Sequence, residues 1–179
     1  MLDIRLIKKA IKGNDEAFEQ LIKDESDKLY KTAYLYVRNK EDALDVLQET
    51  VCKAFVGIHK LKEPKFFSTW LVKILIRTAY EVLQKKSKTV LTGEAFIHSL
   101  TENTSHSPEE DLDLAYAISD LDQNYQTVII LFYFHDLSIK TIAEKMQKPE
   151  GTIKTYLHRA KAELRGLLEG AGSYGQRMV

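Results

Sequence analysis

"LSIKTIAEKMQKPEGTIKTYLHRAKAELRGLL", residues 137–168, decides the fold of the second half of the chain. Apolar residues recur every three or four positions on both sides of "QKP", the pattern of two amphipathic helices broken by a turn. A short helix is predicted to begin at Ser138, with a turn from about Gln147 to Pro149. A longer helix then starts at Pro149 or Glu150, since proline suits a first helical turn. In it Ile153, Leu157, Ala160, Leu164 and Leu167 form the inward stripe, and Thr152, Lys154, Thr155, His158 and Arg159 remain outside. Gly151 is expected to let the backbone approach another helix or a phosphate closely. Hydroxyls and cations on the exposed start of a second helix are what major-groove reading needs, because they reach base edges and arginine pairs bidentately with guanine. The plain alternative is a helical hairpin with a solvated face; no histidine pairing here has zinc-ligand spacing.

Outward from that stretch, the 179 residues suit one ordinary domain or two small ones. Eight glycines and three prolines favour helix over turn-rich β architecture. Helical periodicity runs from about Leu2 to Gln84 and again from about Asp111 to Glu169. The intervening "KSKTVLTGEAFIHSLTENTSHSPEEDL" is polar and reads as a linker, in which Val90, Leu91, Phe96 and Ile97 have the means to dock. The expectation is an all-α fold of two small helical domains, 1–87 and 111–169, joined by a flexible acidic linker, 88–110, with a frayed tail at 170–179. The C-terminal domain is the helix-turn-helix. Gly170, Gly172 and Gly175 spell a dinucleotide fingerprint, discarded because the motif needs a preceding strand and a following helix. No uninterrupted apolar stretch opens the chain, so neither a secretory signal nor a membrane span is expected, and the cytoplasm is the simplest address. The single Cys52 rules out an internal disulfide and any CxxC pair.

The formal net charge of zero conceals a pattern. Residues 53–88 carry nine basic and two acidic side chains, residues 89–112 none and five, and residues 149–179 five and three. Two basic regions are thus separated by an acidic one, a footprint compatible with nucleic acid despite the neutral total.

In "DALDVLQETVCKAFVGI", residues 42–58, the helical wheel gathers Leu44, Leu47, Val51, Ala54, Phe55 and Ile58 on one stripe, expected to be core, with Cys52 packed beside it. Asp42, Asp45 and Glu49 gather opposite with Gln48 at the flank: a solvated face favouring the helix dipole, or a docking face for a basic partner. In "HKLKEPKFFSTWLVKILIRTAYEVLQ" a basic loop with His59, Lys60, Lys62 and Lys65 leads through Phe66 and Phe67 into a helix capped by Ser68 or Thr69. Leu71, Leu75, Thr78 and Val82 are expected inside, widened by Val72, Ile76 and Leu83; Lys73, Arg77, Tyr80 and Gln84 align outside, with Trp70 at the edge. Phe66, Phe67 and Trp70 suit a core. Beside cations, they equally suit single-stranded nucleic acid, where cations follow phosphates and ring faces hold bases.

The order "DALDVLQETVCKAF", "FSTWLVKILIRTAY", acidic linker and "LDQNYQTVIILFYFHDLSIKTIAEKMQKPEGTIKTYLHRAKAEL" resembles the bacterial RNA polymerase sigma factors of the extracytoplasmic-function type over nearly the whole chain. That resemblance implies a first domain, sigma region 2, that binds the polymerase clamp helices through Asp42, Asp45, Gln48 and Glu49. It further implies a minus-ten element opened and held by Lys62, Lys65, Phe66, Phe67, Ser68, Trp70, Lys73, Arg77 and Tyr80. The second domain, sigma region 4, would read the minus-thirty-five duplex with Thr152, Lys154, Thr155, Tyr156, His158 and Arg159 and touch the polymerase flap. The linker would thread toward the RNA exit path. Core polymerase, promoter DNA and a cognate, often membrane-anchored anti-sigma factor are the implied partners; no cofactor, metal or small-molecule substrate is implied. Arg77 stands where the family commonly has Asn, Gln84 and Tyr156 where Arg is common, and Thr141 where Glu is common, so neither promoter sequence carries over.

Two rivals bind rather than catalyse. A helix-turn-helix regulator that acts without core polymerase, such as a response-regulator output protein, would need a receiver with strands, which residues 1–88 do not show. A helical adaptor that binds protein alone would not need Lys73 and Arg77. An enzyme is not expected: P-loop, GxSxG and HExxH are all missing, and Asp42, Asp45 and Glu49 share one helix face without a cleft.

Overall fold

The computed structural model describes residues 3–91 and 109–175, which fall into two compact units within Met1–Asn103 and Thr104–Val179. Among the described residues every regular element is helical. In the first unit α1 (Ile4–Ile11), α2 (Asp15–Val37), α3 (Lys40–Gly57) and α4 (Phe67–Leu91) pack with α2 against α1, α3 and α4. Side-chain oxygens fix the starts of three of these helices. Asp3 accepts from the Arg5 amide at 2.8 Å, Asn14 from Ala17 at 2.7 Å and Asn39 from Asp42 at 2.9 Å. Arg38 closes α2 in the left-handed conformation at φ 55° and Asn39 opens α3, so a two-residue joint sets the antiparallel neighbour.

The core of this unit differs from the expected stripe on α3. Ala43, Val46, Thr50 and Ala54 point inward, Leu47 and Val51 are half-buried, and Leu44 and Phe55 are about half exposed. The cause is space. Helix α3 packs against both α2 and α4, and small side chains allow that approach where leucine and phenylalanine would not. The buried Thr50 hydroxyl donates to the Val46 carbonyl at 2.6 Å, so it brings no unpaired polar group inside. Cys52, expected beside the core, is exposed. On α4 the expected inward set holds for Leu71, Val72, Leu75 and Thr78, with Ala79 added; Ile76, Val82 and Leu83 are half-buried.

Helix α4 begins at Phe67, not at Ser68 or Thr69, after a 3-10 turn at Pro64–Phe66. Thr69 does not cap it: its hydroxyl donates back to the Phe66 carbonyl at 2.9 Å. The helix also continues through Leu91, into what reads as linker, because Lys85, Lys86 and Lys88 are good helix formers and neither glycine nor proline interrupts. Phe96 and Ile97 and most of the expected linker lie outside the described residues.

In the second unit α5 (Glu109–Asp120), α6 (Gln123–Ile129) and α7 (Ile139–Met146) pack on α8 (Glu150–Gly175), with a π-helical turn at Ile130–Phe134 after α6. Helix α7 starts where the sequence predicts. The Ser138 hydroxyl accepts from the Thr141 amide at 3.1 Å and meets the Thr141 hydroxyl at 2.9 Å. Gln147 ends α7 in the left-handed region at φ 54°, and the Pro149 carbonyl accepts from Thr152 at 3.0 Å as α8 opens. Ile153, Leu157 and Ala160 are buried; Leu164 and Leu167 are half-buried. Helix α8 runs through Gly175, so most of the tail expected to fray is helical, and the discarded glycine triplet ends a helix rather than opening one.

Candidate functional site

Three outward faces carry the residues singled out by the sequence, two on the first unit and one on the second. On α3, Asp45, Gln48 and Glu49 are exposed together with Cys52, Leu44, Phe55 and Val56. The face is therefore both acidic and apolar, a composition the sequence missed by assigning its large side chains to the core. Phe55 is steadied by an edge-on contact with Phe18, ring centres 5.3 Å apart. Asp42 does not belong to this face. It is buried, and its carboxylate pairs with Lys86 of α4, so its charge is spent on joining two helices.

The second face follows α3 directly. Lys62 and Lys65 are exposed, and the Lys65 ammonium lies 5.0 Å from the centre of the Phe66 ring. The two adjacent phenylalanines diverge: Phe66 is 41% exposed, Phe67 0%. Phe67 is core, its ring shut away from solvent at the base of the cleft that Pro64, Lys65 and Ser68 also line. Trp70 is half-buried with its ring centre 6.1 Å from Phe67, and it lies where a side chain on Gly57 would meet Cζ2 at 3.4 Å. The indole therefore packs against the end of α3 at van der Waals distance. Ser68, half-buried, lines a cleft of about 690 Å³ with Pro64, Lys65, Asp24 and Glu25. Burial pushes the Glu25 carboxyl above its ordinary value.

Further along α4, Lys73 is exposed and forms no ion pair among the described residues, and Arg77 is 84% exposed on its side chain. Tyr80, expected on the same outward line, is half-buried against Tyr36 with ring centres 5.3 Å apart. Two groups that the sequence reading passed over complete this face. The Glu81 carboxylate takes Arg77 Nε at 3.2 Å and Lys53 Nζ of α3 at 2.7 Å. Lys53 reaches Glu49 at 3.3 Å as well. The bond to Glu81 raises the Lys53 ammonium above its ordinary value, and the bond to Lys53 lowers the Glu81 carboxyl. The Arg77 and Glu81 spacing of four was readable on a helix; the Lys53 partnership, across 28 positions, was not.

On the second unit, the start of α8 presents Lys154, Thr155, His158 and Arg159 to solvent, with Thr152 half-buried. Thr155 donates its hydroxyl to the Gly151 carbonyl at 2.9 Å. Tyr156 turns toward α6, its ring 5.5 Å from that of Tyr125 and 5.7 Å from the Lys148 ammonium. A side chain on Gly151 would meet nothing within 4 Å, so no helix among the described residues presses there. Among the described residues no cluster of His, Cys, Asp and Glu could hold a metal, and no helix is long and apolar enough to cross a membrane.

The unit with the aromatic and cationic helix start and the unit with the helix-turn-helix each match a region of the sigma-70 family. Residues 21–89 match the family model for sigma-70 region 2, and residues 111–164 that for sigma-70 region 4. The chain is 36% identical over 139 residues to the RNA polymerase sigma factor SigV of Bacillus subtilis, covering 78% of this chain and 83% of that protein. It is 30% identical to the ECF RNA polymerase sigma factor SigW of the same organism, covering 92% and 96%. Two solved structures share the fold with a TM-score of 0.72 each. CnrH in complex with the cytosolic domain of CnrY is 22% identical, covering 94% of this chain and 97% of that one. The sigma factor RpoE of Bartonella quintana with the anti-sigma factor NepR is 23% identical, covering 85% and 96%. The chain belongs to the extracytoplasmic-function sigma factors, which direct RNA polymerase to promoters.

Proposed function

We propose that the three faces divide the work of initiation. Residues 1–87 act as region 2: Asp45, Gln48 and Glu49, with Leu44 and Phe55 beside them, dock on the clamp helices of core polymerase. Lys62, Lys65, Phe66, Lys73 and Arg77 hold the melted minus-ten strand. Residues 111–169 act as region 4: Lys154, Thr155, His158 and Arg159 enter the major groove of the minus-thirty-five duplex while the unit touches the flap. The observation that carries this reading is Phe66, an exposed ring under the Lys65 ammonium at the start of a helix whose exposed side carries Lys73 and Arg77. A ring face and cations in one line supply stacking and phosphate neutralisation together. Phe67, Trp70 and Tyr80 support that line from within instead of touching the strand.

The chain works in the cytoplasm, and a cognate anti-sigma factor, membrane-anchored or free, covers the DNA-reading faces until it is needed. The solved relative bound to NepR motivates this partner. Co-purification with the product of the neighbouring gene tests it, and repeated failure to recover any inhibitor counts against it. The central test is run-off transcription with core polymerase on a genomic fragment library. Joint loss of Lys73 and Arg77 should abolish permanganate reactivity of promoter thymines while core binding survives. Joint neutralisation of Asp45 and Glu49 should abolish core binding. Melting that persists without both cations refutes the assignment.

A further inference from the structure

Glu49, Lys53, Glu81 and Arg77 form a chain of alternating charge that crosses from α3 to α4. The links are 3.3 Å from Glu49 to Lys53, 2.7 Å from Lys53 to Glu81 and 3.2 Å from Glu81 to Arg77. Lys53 is further held by the Thr78 hydroxyl at 3.2 Å. One end of the chain lies on the face assigned to polymerase and the other on the face assigned to DNA. Each inner member is shared: Lys53 serves two carboxylates, and Glu81 serves two cations through separate oxygens, Oε2 for Lys53 and Oε1 for Arg77. A carboxylate already neutralised by one cation attracts a second less strongly, so Lys53 and Arg77 compete for Glu81 through charge.

We propose that Glu81 is a positioning residue that holds Arg77 along α4 and away from the promoter strand, and that Lys53 sets the strength of this hold by competing for the same carboxylate. A cation on docked polymerase that takes Glu49 leaves Lys53 to Glu81 alone. Glu81 then grips Arg77 less, and the guanidinium turns to a phosphate. Core binding would thereby raise affinity for the melted strand without a change of fold. The inference rests on the assignment of Arg77 to DNA made above. Because every member is partly exposed, each link is weak, and the expected effect is about two- to five-fold in affinity.

The test measures binding of the free full-length chain to a fluorescein-labelled, random-sequence single-stranded oligodeoxynucleotide, by anisotropy over a series of salt concentrations. Glu81→Gln should bind about two- to five-fold tighter, with the salt slope steeper by about 0.7, the increment for one further phosphate on a single strand. Glu49→Gln should also tighten binding, and Lys53→Met, which removes the competitor, should weaken it. All three shifts should vanish when Arg77→Gln is added, because each acts through that guanidinium. Should Arg77→Gln weaken binding while Glu81→Gln changes nothing, the positioning role fails and the DNA face stands. A gain from Glu81→Gln that survives in the Arg77→Gln background is simple relief of repulsion and overturns the inference too. No loss from Arg77→Gln even in the Glu81→Gln background, where nothing holds the guanidinium, removes the DNA assignment and the inference with it. Loosening of the α3 and α4 contact would alter thermal stability, but it would not steepen the salt slope.

Discussion

Phe66 and Phe67 are neighbours in the chain and opposites in the fold, and replacing each by alanine separates structure from binding. Phe67 is fully buried beside Trp70, so Phe67→Ala removes a packed ring and leaves a cavity. Such changes cost about 3–5 kcal/mol. In a unit of this size each kcal/mol moves the midpoint by about 4–8 °C, so the first unit should melt at least about 12 °C earlier or fail to fold. Phe66 is 41% exposed, and its truncation should cost about 1–2 kcal/mol at most, well below the loss for Phe67. Its loss falls on the promoter. If the ring holds one unstacked base, about 1–3 kcal/mol of stacking disappears, or about 5- to 140-fold in affinity for the melted strand. Far-UV circular dichroism melts of both variants, paired with anisotropy on a single-stranded oligonucleotide in the presence of core polymerase, measure the two quantities. Equal melting losses for the two variants would refute the division of roles, as would a Phe66→Ala holoenzyme that binds the strand like the parent.

Three other outcomes are expected. Alkylation of the exposed Cys52 with a bulky maleimide should block association with core polymerase in a pull-down while the melting curve stays unchanged, because the thiol stands among Asp45, Gln48 and Glu49 on α3. Gln147→Gly should stabilise the second unit by up to about 1 kcal/mol in urea titrations, since a left-handed φ of 54° strains any side chain with a Cβ; destabilisation would show that the Gln147 side chain itself holds the turn. Burial raises the Glu25 carboxyl above its ordinary 4.5, so the folded state holds its proton to higher pH than the unfolded state does. Stability from this group is therefore lost as pH rises through the carboxylate range, and Glu25→Gln should gain over the parent near neutrality but not in acid, as read by urea midpoints across that range.

Local chemistry explains what was legible in the sequence. Ser138, Gln147 and Pro149 mark the ends of α7 and the start of α8 because capping and the left-handed turn depend on residues within one helical turn. The outward set Lys154, Thr155, His158 and Arg159 follows from the same register. The core face of α3 was misread because periodicity fixes spacing but not which neighbours the helix must fit between. With α2 and α4 both packed on it, Ala43, Val46, Thr50 and Ala54 go inside, and Leu44 and Phe55 are displayed. Phe66 and Phe67 sit a single residue apart, and only the 3-10 turn before α4 determines which one points inward. Asp42 with Lys86 and Lys53 with Glu81 join residues tens of positions apart, and no local rule forecasts such pairs.

The indole of Trp70, packed beside Phe67 and against the end of α3 at Gly57, belongs to the sole tryptophan of the chain. Its emission therefore reports on the first unit alone, a spectroscopic label that needs no engineering. Polymerase subunits bring tryptophans of their own, but in the isolated factor a red shift would time the opening of this one unit while the other stays silent.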